Sequence, residues 1–112
     1  MAGPEDEPPY HLLLEPAELA IAAEALRLFI SDEAHEPEIR GLAREVIGSL
    51  EAPPDERGRL TLTLTAKQMK ITHSATRLLL NDLQREQAEQ RATLWAILEK
   101  LPDEHLMRAI EL

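Results

Sequence analysis

Leucine and threonine alternate along residues 60–64, which read LTLTL. Successive side chains of extended backbone point to opposite faces, so the alternation predicts a strand with one leucine face and one threonine face. Thr65 follows, and Gln68 lies three residues later, which is the spacing of a capping box at a helix start. The pattern therefore predicts a half-buried strand followed by a helix that begins at Ala66.

The first half of the chain repeats this order of patterns. Residues 10–14 form a short apolar run, and Pro16 after it suits the first turn of a helix. From 17 to 31, apolar residues fall on two adjoining lines, which predicts a helix covered from two sides. Pro37 then opens a second helix, whose single apolar stripe ends at Leu50.

An offset of fifty residues aligns the two halves. The matched pairs are Leu12 with Leu62, Leu14 with Leu64, Ile21 with Ile71, Ala25 with Ala75, Arg27 with Arg77, Leu28 with Leu78 and Asp32 with Asp82. An offset of 51 aligns the second helices, with Leu50 opposite Leu101. The alignment predicts an α+β, mostly helical fold, a tandem pseudo-repeat βαα-βαα-β with a small sheet packed against helices. The alternative is a chance likeness between helices rich in Leu and Ala.

The predicted domain organisation follows from this alignment. Residues 1–9 are acidic and rich in proline, which predicts a disordered tail. Residues 10–112 form one domain, made of repeats over 10–53 and 59–101 and a C-terminal strand over 106–112. That strand is expected by analogy with 60–64, although its residues include good helix formers.

Residues 66–101 allow two interpretations. Without proline or glycine in the stretch 80–91, local propensity permits one continuous helix. The repeat instead predicts a bend, and the apolar stripe does lapse between Gln84 and Arg91. We favour a helical hairpin. A continuous helix would carry its second half into the core of a partner, which would give a domain-swapped dimer.

Composition and charge narrow the functional classes. Twelve Lys and Arg against twenty-one Asp and Glu give a net charge of −9, which disfavours binding to nucleic acid. No apolar run approaches the roughly 18 residues that span a bilayer, so no membrane partner is expected. Residues 1–9 lack the basic and apolar regions of a signal peptide, and we expect a cytoplasmic protein.

Residues that carry enzyme chemistry do not converge in the sequence. There is no cysteine, and the four histidines, His11, His35, His73 and His105, have no metal-ligand spacing. The serines lie in no nucleophile motif. We therefore expect no enzymatic activity, no cofactor and no metal.

Three polar residues interrupt the apolar face of the helix that begins at Ala66. Thr72, His73 and Thr76 stand where the first half has Ala22, Ala23 and Leu26. As a functional hypothesis, the three form a polar pocket for a small ligand, in which His73 binds a small anion or metal, or titrates near neutral pH. The simpler interpretation is a wetter helix face, with each threonine hydroxyl bonded to a carbonyl one turn back.

The first functional hypothesis is a non-enzymatic protein–protein interaction or regulatory module that forms a homodimer. A strand at the edge of a small sheet invites pairing, and a single tryptophan is a frequent interface anchor. The candidate interface residues are Leu60, Leu62, Leu64 and Trp95. The alternatives are a small-ligand-binding protein that uses the polar residues above, or an acidic inhibitor that imitates nucleic acid.

Deletion of residues 106–112 tests the predicted C-terminal strand. If these residues complete the sheet, the shortened chain should unfold at a lower urea concentration, because an apolar strand is lost from the core. An unchanged midpoint in urea denaturation would contradict the strand.

Overall fold

The computed structural model describes residues 10–32, 34–102 and 110 of the chain. They form a small α+β fold with four helices and a two-stranded sheet. The elements in chain order are β1 (Tyr10–Leu14), α1 (Pro16–Ser31), α2 (Pro37–Leu50), β2 (Leu60–Leu64), α3 (Ala66–Asp82) and α4 (Ala88–Lys100). The strands predicted over 10–14 and 60–64 and the four predicted helices are confirmed.

The two strands pair antiparallel, with Leu12 opposite Leu62 at the centre of the ladder. The leucine face predicted for β2 is buried, and it shares the core with Leu12 and Leu14 of β1. The opposite face of the sheet, which carries the threonines of β2 and Leu13 of β1, is exposed. The sheet therefore packs against helices on one side, as its alternating pattern predicts.

Helix α1 occupies the centre of the helical layer. It packs against α2, α3 and α4, which explains why both of its apolar lines are needed. Its buried residues are Glu18, Ile21, Ala22, Ala25, Leu26 and Phe29. One carboxylate thus lies among the apolar residues of this helix, a feature that the sequence analysis missed.

The capping box predicted at the start of α3 is confirmed. The Gln68 amide N–H donates to Thr65 Oγ1 at 3.1 Å, and the Thr65 N–H donates to Gln68 Oε1 at 3.0 Å. Two backbone donors at the helix start are thereby satisfied, which fixes the boundary between β2 and α3.

The helical hairpin is also confirmed, because α3 ends at Asp82 and α4 begins at Ala88. Arg91 Nη1 donates to the carbonyl oxygens of Leu80 at 3.0 Å and Leu83 at 3.2 Å. This guanidinium satisfies carbonyls that the last turn of α3 leaves open. The chain therefore bends without proline or glycine, and the continuous helix on which a domain-swapped dimer would depend is not formed.

The predicted segments at the two ends of the chain lie largely outside the described residues. This applies to the tail over 1–9 and to the strand over 106–112, of which Ile110 alone is described. Ile110 lies in a bend, packs against the core, and accepts a hydrogen bond from Lys70 through its carbonyl.

The turn before β2 depends on Gly58, whose φ of +77° lies in the left-handed region. Asp55 Oδ1 accepts hydrogen bonds from the Arg57 and Arg59 amides at 2.9 and 2.8 Å, which closes the turn. A Cβ at position 58 would also lie 3.1 Å from Pro16 Cγ. The start of β2 and the start of α1 are therefore packed against each other through a bare backbone.

Gly58→Ala should lower the free energy of unfolding by about 1–2 kcal/mol, since a side chain is strained at positive φ. Gly48→Ala is the control, because a Cβ at position 48 of α2 meets no atom within 4 Å. That control should gain about 0.5–1 kcal/mol from higher helix propensity. Urea denaturation measures the free energy of unfolding of both variants. A loss of stability in Gly48→Ala, or no loss in Gly58→Ala, would contradict the requirement for glycine at position 58.

Candidate functional site

The polar residues predicted to bind a ligand lie in the core. Thr72, His73 and Thr76 are 2%, 8% and 1% exposed. Thr72 Oγ1 donates to the Gln68 carbonyl at 2.8 Å, and Thr76 Oγ1 donates to the Thr72 carbonyl at 2.7 Å. Both hydroxyls thus bond one turn back on their own helix. A ligand at these residues stays a prediction, and it would have to enter between packed helices.

The predicted interface residues fall into two classes. The three leucines of β2 are buried, with exposed fractions of 9% or less, so only the backbone edge and the threonine face of this strand can meet another molecule. Trp95 is 48% exposed on α4. Leu13 and Tyr10 of β1 are exposed to a similar extent, at 41% and 40%.

An ion pair between a buried carboxylate and a solvent-accessible lysine connects β1, α1 and α4. Glu18 is 5% exposed, and its Oε1 accepts from the Glu15 amide at 2.7 Å and from Lys100 Nζ. Lys100 Nζ also donates to the Leu13 carbonyl at 3.0 Å. The carboxylate therefore has both a helix-start partner and a cationic partner, which is the condition for burying such a group.

A second polar tie joins α2 to α3. Gln68, which caps α3 through Oε1, donates through Nε2 to Glu45 Oε2 at 3.0 Å. In both of these polar contacts, the residue at the third position of a helix accepts a backbone N–H at the start of its own helix. The same residue also contacts a helix from the other half of the chain. The first role of Gln68 is predictable from the sequence and the second is not, because only the fold brings Glu45 near.

The α2–α3 groove is a shallow surface cavity of about 240 Å³. Its lining residues are Glu36, Glu38, Ile39, Gly41, Leu42, Glu45 and Lys67. Ile39 and Leu42 are half-buried and continue the core to the surface. The groove thus combines an apolar floor with three carboxylates and one ammonium group.

The α1–α4 groove is similar in size, at about 260 Å³. Its lining residues are Ala17, Ala20, Ile21, Glu24, Glu89, Gln90 and Thr93. The α4 wall is polar, because Gln90 and Thr93 contribute amide and hydroxyl groups. Neither groove includes the buried polar residues of α3, so the candidate ligand site and the surface grooves are separate places in the fold.

Neither a group of metal ligands nor a membrane-spanning helix is found within the described residues. Over 10–32, 34–102 and 110, no three His, Asp or Glu side chains are grouped to hold a metal ion. Among the same residues, no helix has the length and hydropathy that a bilayer crossing requires.

Comparison with protein-family models, with curated proteins and with solved structures gave no match. Function therefore has to be inferred from the surfaces and contacts described above.

The ion pair of Glu18 with Lys100 can be tested by a double-mutant cycle. Lys100→Met should lower the free energy of unfolding by about 2 kcal/mol, because the buried carboxylate loses its cationic partner. Adding Glu18→Gln should recover part of that loss, since Gln at this helix position caps α3 in the same chain. Urea denaturation of the four chains gives the coupling energy. Simple additivity of the two losses would contradict a direct interaction.

Proposed function

We propose that this chain is a non-enzymatic protein–protein interaction module that forms a homodimer and acts in the cytoplasm. The observation that carries the proposal is Trp95, which remains 48% exposed on α4 after the chain has folded. Tryptophan side chains dominate the binding energy of many interfaces, because they bury a large apolar area with few rotatable bonds. An exposed tryptophan on a folded helix face is therefore a natural anchor for a partner.

The size of the surface grooves supports a protein partner over a small ligand. Pockets for small molecules usually enclose about 300–1,000 Å³. The α2–α3 and α1–α4 grooves have about 240 and 260 Å³ and are open to solvent. Spaces of this size suit one or two side chains of a partner rather than a whole ligand.

The proposal includes the tandem pseudo-repeat βαα-βαα, and the strand register supports it. If residue i of the first half corresponds to i+50, Leu12 corresponds to its own ladder partner, Leu62. Tyr10 would then correspond to Leu60, and Leu14 to Leu64. The same correspondence converts the ladder pair Tyr10–Leu64 into the ladder pair Leu60–Leu14. An antiparallel ladder with this register is what a two-fold axis through the central pair produces.

The grooves give independent support for the repeat. With offsets of 50 for the first helix and 51 for the second, Lys67 of the α2–α3 groove corresponds to Ala17 of the α1–α4 groove. Three further pairs are Glu38 with Glu89, Ile39 with Gln90, and Leu42 with Thr93. Glu18 and Gln68, the residues of the two polar ties, also correspond. The two halves would thus share a framework and differ at the surfaces they present.

Trp95→Ala should shift the chain from dimer to monomer, since truncation of a tryptophan anchor commonly costs at least 2 kcal/mol of binding. Arg44→Ala is the matched control, because Arg44 is exposed at the corresponding position of α2. Light scattering over a wide concentration range measures the oligomer. As Trp95 is the single tryptophan, its emission should also move to shorter wavelength as the wild type associates.

A monomer at every concentration, with unchanged emission, would contradict the homodimer. Equal dissociation of both variants would contradict the role of Trp95 as the anchor.

A further inference from the structure

Helix α2 contains two glycines that the fold itself does not require. A Cβ at Gly41 or at Gly48 would meet no atom within 4 Å, and neither residue has positive φ. Glycine inside a helix costs about 0.5–1 kcal/mol relative to alanine. Gly48 lies outside the α2–α3 groove, whereas Gly41 forms part of its lining. At Gly41 the missing side chain leaves bare backbone beside the apolar floor.

The floor of this groove is apolar and its rim is mostly acidic, so the two favour different groups of a bound molecule. Ile39 and Leu42 flank Gly41 and offer apolar surface that the fold leaves half-covered. Glu36, Glu38 and Glu45 surround that surface, against one ammonium group, Lys67. Glu45 is held in place by Gln68 Nε2 at 3.0 Å. An apolar side chain would be favoured on the floor, and cationic groups would be favoured at the rim.

The α1–α4 groove supplies an internal comparison. At the positions that correspond to Ile39 and Leu42 it has Gln90 and Thr93, and at the position of Gly41 the helix has Ala92. Glu38 of the α2–α3 groove corresponds to Glu89 of the α1–α4 groove, so both grooves have a glutamate at this position. The two grooves therefore share one glutamate, whereas the apolar pair Ile39 and Leu42 and the bare backbone of Gly41 are replaced by other residue types at the corresponding positions of α4.

We infer that the α2–α3 groove binds a short cationic segment of a protein partner, with one aliphatic side chain seated over Gly41 and flanking Arg or Lys directed at the glutamates. The inference rests on the proposed interaction function and names the surface and chemistry of one partner. The partner segment is short, because a groove of about 240 Å³ is smaller than a usual ligand pocket. The inferred site is distinct from the Trp95 surface proposed for self-association.

The test begins with a phage-displayed library of short random peptides selected on the immobilised full-length chain. Enriched peptides should carry Lys or Arg on both sides of a Leu, Ile or Met. One such synthetic peptide is then titrated into the isotopically labelled chain, and amide resonances are followed by NMR. Shifts should be saturable, should concentrate in α2 and the start of α3, and should weaken as salt is raised, since the rim contacts are exposed charges.

Two glycine variants separate occupation of the groove from a change in stability. Gly41→Ala and Gly48→Ala should both stabilise the fold. Gly41→Ala should also lower the affinity for the peptide about tenfold, because its methyl group would occupy the space of the peptide's aliphatic side chain. Gly48→Ala should bind as the wild type does. Glu38→Lys should also weaken binding, while Glu89→Lys at the corresponding place in the other groove should not.

Equal affinity for Gly41→Ala and Gly48→Ala would overturn the inference, as would the enrichment of neutral or acidic peptides or the absence of any enriched sequence. Peptide binding that is lost in Trp95→Ala but kept in Gly41→Ala would overturn the inference and leave the proposed interaction function standing. Changes of the α2 resonances on dilution of the chain alone would identify a second copy as the occupant, which would also overturn it.

Discussion

The antiparallel pairing of β1 with β2 is the contact on which the rest of the fold depends. The two strands are separated by two helices in sequence, yet Leu12 and Leu62 lie opposite each other at the centre of the ladder. A two-stranded sheet is only marginally stable alone, so its leucine face must be covered by helices from both halves. Closing this long loop brings α1 against α3, which creates the shared core. Neither half buries its apolar face without the other.

The helix starts are tied to that shared core by residues with two roles. Glu18 and Gln68 each accept a backbone N–H at the start of their own helix, and each contacts a helix from the other half through Lys100 or Glu45. Local capping and long-range assembly are therefore coupled in the same side chain. Lys100 further occupies the Leu13 carbonyl at the margin of β1. A lysine at a strand edge disfavours pairing of that edge with another strand.

Local patterns sufficed to predict the strands, the helices and the capping box at Thr65, because alternation and capping operate over a few residues. The bend after Asp82 was harder, since it depends on Arg91 reaching carbonyls of α3 across the loop. Glu18 lies three residues after Glu15 and close to a proline, a spacing from which its capping role could have been predicted. Its burial could not be predicted, because it depends on Lys100, 82 residues away. The grooves were not predictable either, because their walls come from helices that are distant in sequence.

The polar residues of α3 are buried in the core, whereas the groove beside α2 lies at the surface. Thr72 and Thr76 satisfy their hydroxyls on their own helix, so polarity at the centre of the fold can be retained without a ligand. At Gly41, in contrast, a Cβ would meet no atom within 4 Å, so packing does not require the lower helix propensity of glycine there. Gly48 shares this property but lines neither groove, so the informative feature of Gly41 is its place beside Ile39 and Leu42 in the groove lining. The surface of the α2–α3 groove is therefore a better place to look for a binding function than the polar residues inside α3.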